Sequence, residues 1–427
     1  MNPGLLGGFH SQYRELHSEP LARPFPVVSG QVTVSHRAIL FTPAEAVAHR
    51  AAVSALAAAF GAEATQEEHG FQVLHLEGVD LRIERHTEFT TFMAIAPQAG
   101  VPFAESAADR LPAVWSEGIP GRLMAAVEIA TEEVPAEEAG TAPVMERILK
   151  HFDQERFVGG WTVDRVASVW STFKLDERGA TRFLVQNHGL TAGRYGRLLQ
   201  RLVEIETYRM AALLALPLAR DLLPQVEALE AQHVALVERM GLTDSGDEKI
   251  LLSDLTNLSL TTERLRAGCG TRFSLTKSYE RILSARVDEL REEQVAGYQT
   301  IGEFFDRRLS RAWHTCERAD AELTTLTARL RSTTGLLRTR VEVNLQTQNQ
   351  QILASMDQRA AAQLRLQHNV EGLSVVVLTY YLANLVKVLL EGTEAAGFTV
   401  HVPLVEALAL PVLAFSVWTA VRRARKG

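Results

Sequence analysis

VEGLSVVVLTYYLANLVKVLL, residues 370 to 390, is an apolar stretch of twenty-one residues near the end of a chain of 427. At about 1.5 Å per helical residue it spans roughly 30 Å, the hydrocarbon thickness of a bilayer. Its two charges, Glu371 and Lys387, sit toward the ends, where long side chains reach the interface, and Leu373 to Val386 carries none. A second apolar stretch, VPLVEALALPVLAFSVWTAV (402 to 421), follows and closes on RRARK. Two such helices in tandem read as a transmembrane hairpin; a helical hairpin docked on a soluble domain is the alternative.

Basic residues orient the hairpin. Arg359 and Arg365 precede the first span; Arg422, Arg423, Arg425 and Lys426 follow the second, and the connecting EGTEAAGFTVH carries Glu391 and Glu394 but no Lys or Arg. Both termini are therefore expected in the cytoplasm of a bacterial cell, with the spans in the inner membrane. The N-terminal MNPGLLGGFHSQYRELHSEP lacks a basic segment followed by an apolar run, so no secretory signal is expected there.

The rest of the chain has soluble character. A net charge of −7 offers no basic stripe for phosphates, which argues against nucleic acid as a partner. Cys269 and Cys316 fall in helical sequence on the cytoplasmic side, where neither a disulfide nor a zinc site is expected.

The first part of the chain alternates periods. QVTVSHRAILF (31 to 41) reads as a strand and PAEAVAHRAAVSALAAAFG as a helix; FQVLHLE, VDLRIER and EFTTFMAIA read as three antiparallel strands, with Leu81 and Ile83 on one face. RLMAAVEIA, the helix PVMERILKHF and the strands FVGGWTVD, RVASVWSTFKLD and TRFLVQN follow. The predicted fold class is α+β/α: an N-terminal α/β layer domain (1–188), a long helical region with a stalk helix (189–368) and the transmembrane hairpin with its basic tail (369–427). The helical part is expected to kink near Pro217 and Pro224, and the last helix to run from about Gln299 into the membrane. Along it Leu326, Leu330, Leu337, Val341, Leu345, Ile352 and Met356 recur with an eleven-residue offset, a nearly straight seam suited to packing within the chain or to a homo-oligomer through stalk and spans.

LHSEPLARPFP followed by VSH, the strand turn RIERHTEFTTF, and LSVVVLTYYLANLVKVLLEG before a second apolar span together resemble an uncharacterised bacterial family of predicted membrane-anchored proteins, across nearly the whole chain. The resemblance implies a membrane location and no activity. In layout the chain is also similar to the CorA-type magnesium channels. Where those end their first span in Gly-Met-Asn, this chain has Leu390, Glu391 and Gly392.

Two groups of residues are candidates for a site. Asn384, Lys387 and Glu391 fall within about 40° of Tyr380 on one helical face, a stripe that lines a pore or bridges helices. Lys387 opposes a divalent cation in that path. The turn containing Arg82, Glu84, Arg85, His86, Thr87 and Glu88 offers an imidazole and carboxylates for an anion or a divalent cation, against the plainer reading of a solvated turn with paired charges. HSEPLARPFP, with His17, Glu19 and Arg23, reads as an extended arm packed on the domain. No P-loop, dinucleotide fingerprint, metalloprotease motif or nucleophile elbow occurs, so neither cofactor nor catalysis is expected. The reading is a membrane-anchored scaffold or regulator, with a CorA-like homo-oligomeric channel as the alternative.

Overall fold

The computed structural model describes residues 12–18, 23–60, 63–64, 70–112, 115, 118–153, 155–242, 247–395 and 402–424. Two compact units result: one of residues 1–236 with 255–331, the other of 237–254 with 332–427. These units divide the chain at places other than 188/189 and 368/369, because the helices after residue 189 complete the core of the sheet.

After the short helix α1 (Tyr13–Ser18), the first unit alternates strands and helices: β1 (Val32–Leu40), α2 (Ala46–Ala59), β2 (Glu63–Ala64), β3 (Phe71–Leu76), β4 (Val79–Arg85), β5 (Phe89–Pro97), β6 (Arg122–Glu133), α3 (Ala142–His151), β7 (Val158–Thr162), β8 (Ala167–Leu175) and β9 (Thr181–Asn187). A short strand β10 (Glu293–Gln294) completes one sheet in the order β10-β7-β8-β9-β6-β1-β5-β4-β3-β2, in which β6 and β9 pair in parallel and the other neighbours antiparallel.

Alternation along the strands sends residues to two helical layers. On one face Leu81, Ile83, Phe92 and Ala94 pack with Val53 and Leu56 of α2, and Ala130, Trp170 and Leu184 pack with Val144, Ile148 and Phe152 of and beside α3. On the other face Val34, Met93, Val127, Ile129, Phe183 and Val185 meet helix α4 (Ala192–Leu213) through Tyr195, Leu198, Leu199, Leu202 and Ile205, a spacing that keeps one helical stripe on the sheet.

The break between α4 and α5 (Ala215–Leu242) falls at Leu214, with Pro217 in the first turn of α5. The proline ring would strike the carbonyl four residues earlier, so the first helix ends at that carbonyl and Pro217 occupies a position where its missing N–H is harmless. Pro224 lies inside α5. Helix α6 (Glu248–Asp288) then runs on through Gly268 and Gly270. Helix α7 (Ile301–Arg308) is capped at Thr300, whose hydroxyl accepts from the Glu303 amide while the Glu303 carboxylate accepts from the Thr300 amide. A break at Leu309 separates it from α8 (Ser310–Ala395), so the predicted continuous helix from Gln299 starts two residues later and is interrupted once.

In the second unit, Glu248 is buried, with Arg340 Nε at 2.8 Å and Asn344 Nδ2 donating to both carboxylate oxygens at 2.9 Å. Helix α8 and α9 (Val402–Ala424) are each long and apolar enough to cross a membrane by length and composition, with only 6% of each most apolar window buried. The eleven-residue seam divides: Leu326, Leu330 and Leu337 are buried, whereas Leu345, Ile352 and Met356 are exposed.

Gly159 shows how tightly the sheet is drawn. At φ +146° its α-carbon lies so close to β8 that a Cβ would come within 1.9 Å of the Val169 carbonyl oxygen and 2.9 Å of the Trp170 ring. Gly159→Ala is expected to cost about 2–5 kcal/mol through backbone strain and overpacking, seen as a thermal midpoint lowered by several degrees; an unchanged midpoint would mean that β7 moves away from β8 freely.

Candidate functional site

A cavity of about 50 Å³ lies between the sheet and α4 in the first unit. Strand β4 supplies Arg82 and Glu84, which face it because Leu81 and Ile83 are committed to the core on the other side. His86 follows at the strand end, His36 comes from the middle of β1, and Gln200, Glu204, Thr207 and Tyr208 come from α4. The extended arm at residues 23–26 covers it: Arg23 Nη1 donates to Glu84 Oε1 at 2.9 Å, and Arg82 Nη2 donates to the Pro24 carbonyl.

The arm is seated by Gly196. A Cβ there would lie 1.7 Å from the Pro26 carbonyl oxygen, so no side chain fits beneath this strand of backbone. One residue pair further on, the Val28 amide donates to the Ala192 carbonyl at 3.2 Å. The expected packing of an extended arm is thus seen from Arg23 onward; His17 is exposed on α1, and Glu19 lies outside the described residues.

Burial governs the electrostatics. Loss of solvent drives His36 down to about 3, with Arg37 and His86 adding to it, and drives His86 down to about 4, with Arg23 adding to it. Both imidazoles are therefore neutral near pH 7. The same desolvation raises Glu84 and Glu204 above the ordinary carboxylate range, against the pull of Arg23 on the first and Arg286 on the second. Arg82, its guanidinium 4.9 Å from the Phe71 ring centroid, is lowered by burial, and Tyr208 is pushed up to about 12 by burial and then by Glu204.

The turn singled out in the sequence separates in three directions. Arg82, Glu84 and His86 line the cavity, with His86 Nε2 3.7 Å from Glu84 Oε1 and its ring stacked on Phe89 at 4.3 Å. Arg85 Nη2 donates to Ser54 Oγ of α2 at 3.3 Å. Glu88 accepts two bonds from Arg272, at 2.9 and 2.8 Å, and one from the Tyr279 hydroxyl at 2.7 Å, fastening α6 to the turn. His86 and Glu88 do not converge on a common ligand.

His36, Gln200, Glu204 and Thr207 are among the lining residues that sequence reasoning passed over. A signal existed: Gln200, Glu204 and Thr207 stand at i, i+4 and i+7, a polar line on a helix whose neighbouring stripe is apolar.

The second candidate group lies elsewhere, in the second unit. Tyr380, Asn384, Lys387 and Glu391 are exposed along α8, while its half-buried positions are Val375, Thr379, Ala383, Val386 and Leu390. At about 100° per residue the polar stripe is centred roughly 110° from the half-buried one. Glu394 and the loop that follows, with Arg425 and Lys426, fall outside the residues whose side chains are described.

The family described as protein of unknown function (DUF3422) matches residues 9–427. The chain belongs to this family. The resemblance carried by the arm, the strand turn and the first apolar span is thereby borne out over nearly the whole sequence, while a similarity to CorA-type channels is not shown. No curated protein matches the chain.

The pH dependence of folding tests the buried imidazoles. Their folded values lie below the ordinary 6.5, so the unfolded chain takes up protons first as pH falls. The stability they represent is complete above about pH 6.5 and is lost progressively toward their folded values, at up to about 1.4 kcal/mol per pH unit for each proton. Glu84 and Glu204, being raised, act in the opposite sense, regaining stability as they protonate. His36→Gln removes one imidazole and leaves the carboxylates, so its loss of melting temperature between pH 6.5 and 4 should be shallower than that of the wild type; parallel curves would show that His36 titrates normally.

Proposed function

We propose that the protein is a membrane-anchored regulator in which the sheet unit, on the cytoplasmic face of the bacterial inner membrane, is held at the bilayer by the α8–α9 hairpin. The observation that carries this reading is the contrast between a sheet unit with cores on both faces and two long apolar helices whose apolar windows remain exposed. Burial in lipid satisfies such helices, whose backbone groups are already paired along the helix. The basic residues Arg359, Arg365, Arg422 and Arg423 support cytoplasmic ends. A partly open cavity beneath the arm, lined by both charged and apolar side chains, gives the sheet unit something to sense, and no part of this reading requires catalysis.

Self-association is part of the proposal. Leu345, Ile352 and Met356 are more than two-fifths exposed on α8. Anchoring in one bilayer holds copies parallel and at the same height, so equivalent apolar positions of two stalks meet each other. The polar stripe at Tyr380, Asn384, Lys387 and Glu391 is then read as an interface anchor and a set of interhelical hydrogen bonds.

Fractionation tests the anchor: the protein is expected to stay with membranes through alkaline carbonate and to leave with detergent, and a reporter inserted at residue 397 should be active only outside the inner membrane. Release without detergent, or cytoplasmic reporter activity, would reject it. Ile352→Asp with Met356→Asp should dissociate the assembly in detergent while the melting temperature holds. Leu337→Asp, at a fully buried position, should instead cost several kcal/mol. A strict monomer in detergent from the wild type would reject self-association, and a saturable divalent-cation current through it would put a channel in place of a regulator.

A further inference from the structure

The exposed side of α8 carries a second period, and what it implies rests on the anchored, self-associating reading above. From Leu345, the apolar residues Ile352, Leu366, Leu373 and Tyr380 follow at multiples of seven. Met356, Val370 and Val377 form a second row on the same spacing, four residues after the first. Each of these side chains is more than two-fifths exposed. Steps of four and then three residues are how a helix presents its seam to a partner in a left-handed coiled coil. Inside the apolar span any spacing meets apolar residues, so residues 345–370 decide the period; there the positions outside the two rows are mostly polar or alanine. Asn349, Arg359 and Gln363 interrupt the rows ahead of the span, where side-chain ends reach water.

Continued toward the end of α8, the two rows run through Asn384, Lys387 and Glu391, so the polar stripe lies on the same seam. All three are exposed and make no hydrogen bond or ion pair among the described residues. Asn384 lies about 6 Å along the helix from Tyr380, the middle of the span, too deep for a short side chain to reach water. Its amide donors and acceptor have no counterpart in hydrocarbon. The chain does not cover them itself, since the half-buried positions Val375, Thr379, Ala383, Val386 and Leu390 lie on a side of the helix roughly 110° away.

Charge complementarity names the occupant. Lys387 and Glu391 stand in the less favourable order for an ion pair within one helix, with the lysine first. In two parallel copies at the same height, each Lys387 instead meets Glu391 of the other chain, and the two Asn384 amides face each other. A patch that holds cation and anion one turn apart, beside a group that both donates and accepts, complements itself across a two-fold axis. We propose that α8 pairs with α8 of a second copy as a parallel two-stranded coiled coil, continuous from Leu345 to Glu391, in which Asn384 bonds its counterpart and Lys387 pairs with Glu391 of the other chain.

The test uses full-length protein in vesicles of phosphatidylethanolamine and phosphatidylglycerol, with one cysteine added at a time and mild oxidation. Cys269 and Cys316 are buried, so the wild type serves as the blank. Ile352→Cys, Met356→Cys, Leu373→Cys and Tyr380→Cys should each give a cross-linked dimer. Leu364→Cys, Leu382→Cys and Leu389→Cys, at exposed apolar positions off the two rows, should give little. Energy transfer between labelled copies in the same vesicles reads stoichiometry and the dissociation constant. Asn384→Leu should raise that constant about threefold to thirtyfold, the range of one intramembrane hydrogen bond. Lys387→Glu and Glu391→Lys should each weaken the dimer, and the two together should restore it. Cross-linking at Leu389 or Leu382 as strong as at Tyr380, a doubly exchanged variant no tighter than the single ones, an unchanged constant for Asn384→Leu, or a stoichiometry above two would each overturn the proposal. A protein that resists alkaline carbonate but cross-links at none of the seam positions loses the coiled coil and keeps its anchor; one released without detergent loses the anchor, and its cross-links then decide the pairing.

Discussion

The contact between Pro26 and Gly196 is the constraint on which the cavity depends. The backbone of the arm rests directly on the backbone of α4, without a side chain between them. That closeness brings Arg23 and the Pro24 carbonyl to Glu84 and Arg82, and it shields His36 and the α4 polar line from solvent. The depressed imidazoles and raised carboxylates follow from the shielding, because each charged form has lost water that its partners replace only in part. Polar residues here are thus held in a state they would not keep on an open surface.

Much of the architecture was legible from periodicity alone. Strands β1, β3, β4, β5 and β6 and helices α2 and α3 announce themselves through alternation or helical spacing, since each must present one face to a core. The elements that escaped have no such pattern. Strand β10 is two residues long and exists only because Gly160 leaves room for it: a Cβ there would come within 2.6 Å of the Glu293 carbonyl oxygen. The 3-10 turn Ala107–Arg110 is held by Ser106, Ser35 and buried Glu128, residues far apart in sequence. The break at Leu309 has no proline to mark it, although Thr300 and Glu303 just before it form a readable capping box.

The site was half legible. Leu81 and Ile83 pointing inward left Arg82 and Glu84 on the opposite face, and that much alternation reveals. Their partners are a tertiary matter: His36 and Thr207, which bond each other, are 171 residues apart. Alternation also says nothing of Glu88, whose carboxylate is claimed by Arg272 and Tyr279 from α6. Along α8 the eleven-residue offset falls on buried positions at Leu326, Leu330 and Leu337 and on exposed ones at Leu345, Ile352 and Met356, because packing partners and not periodicity decide burial.

The ends of the sheet limit how copies of this protein can meet. Strands β2 and β10, at its two margins, are each two residues long and include Glu63 and Glu293. Among the described residues the outermost strand at each margin is thus too short to be a good template for a strand from another molecule. A sheet that ends in such short strands offers little for edge-to-edge growth.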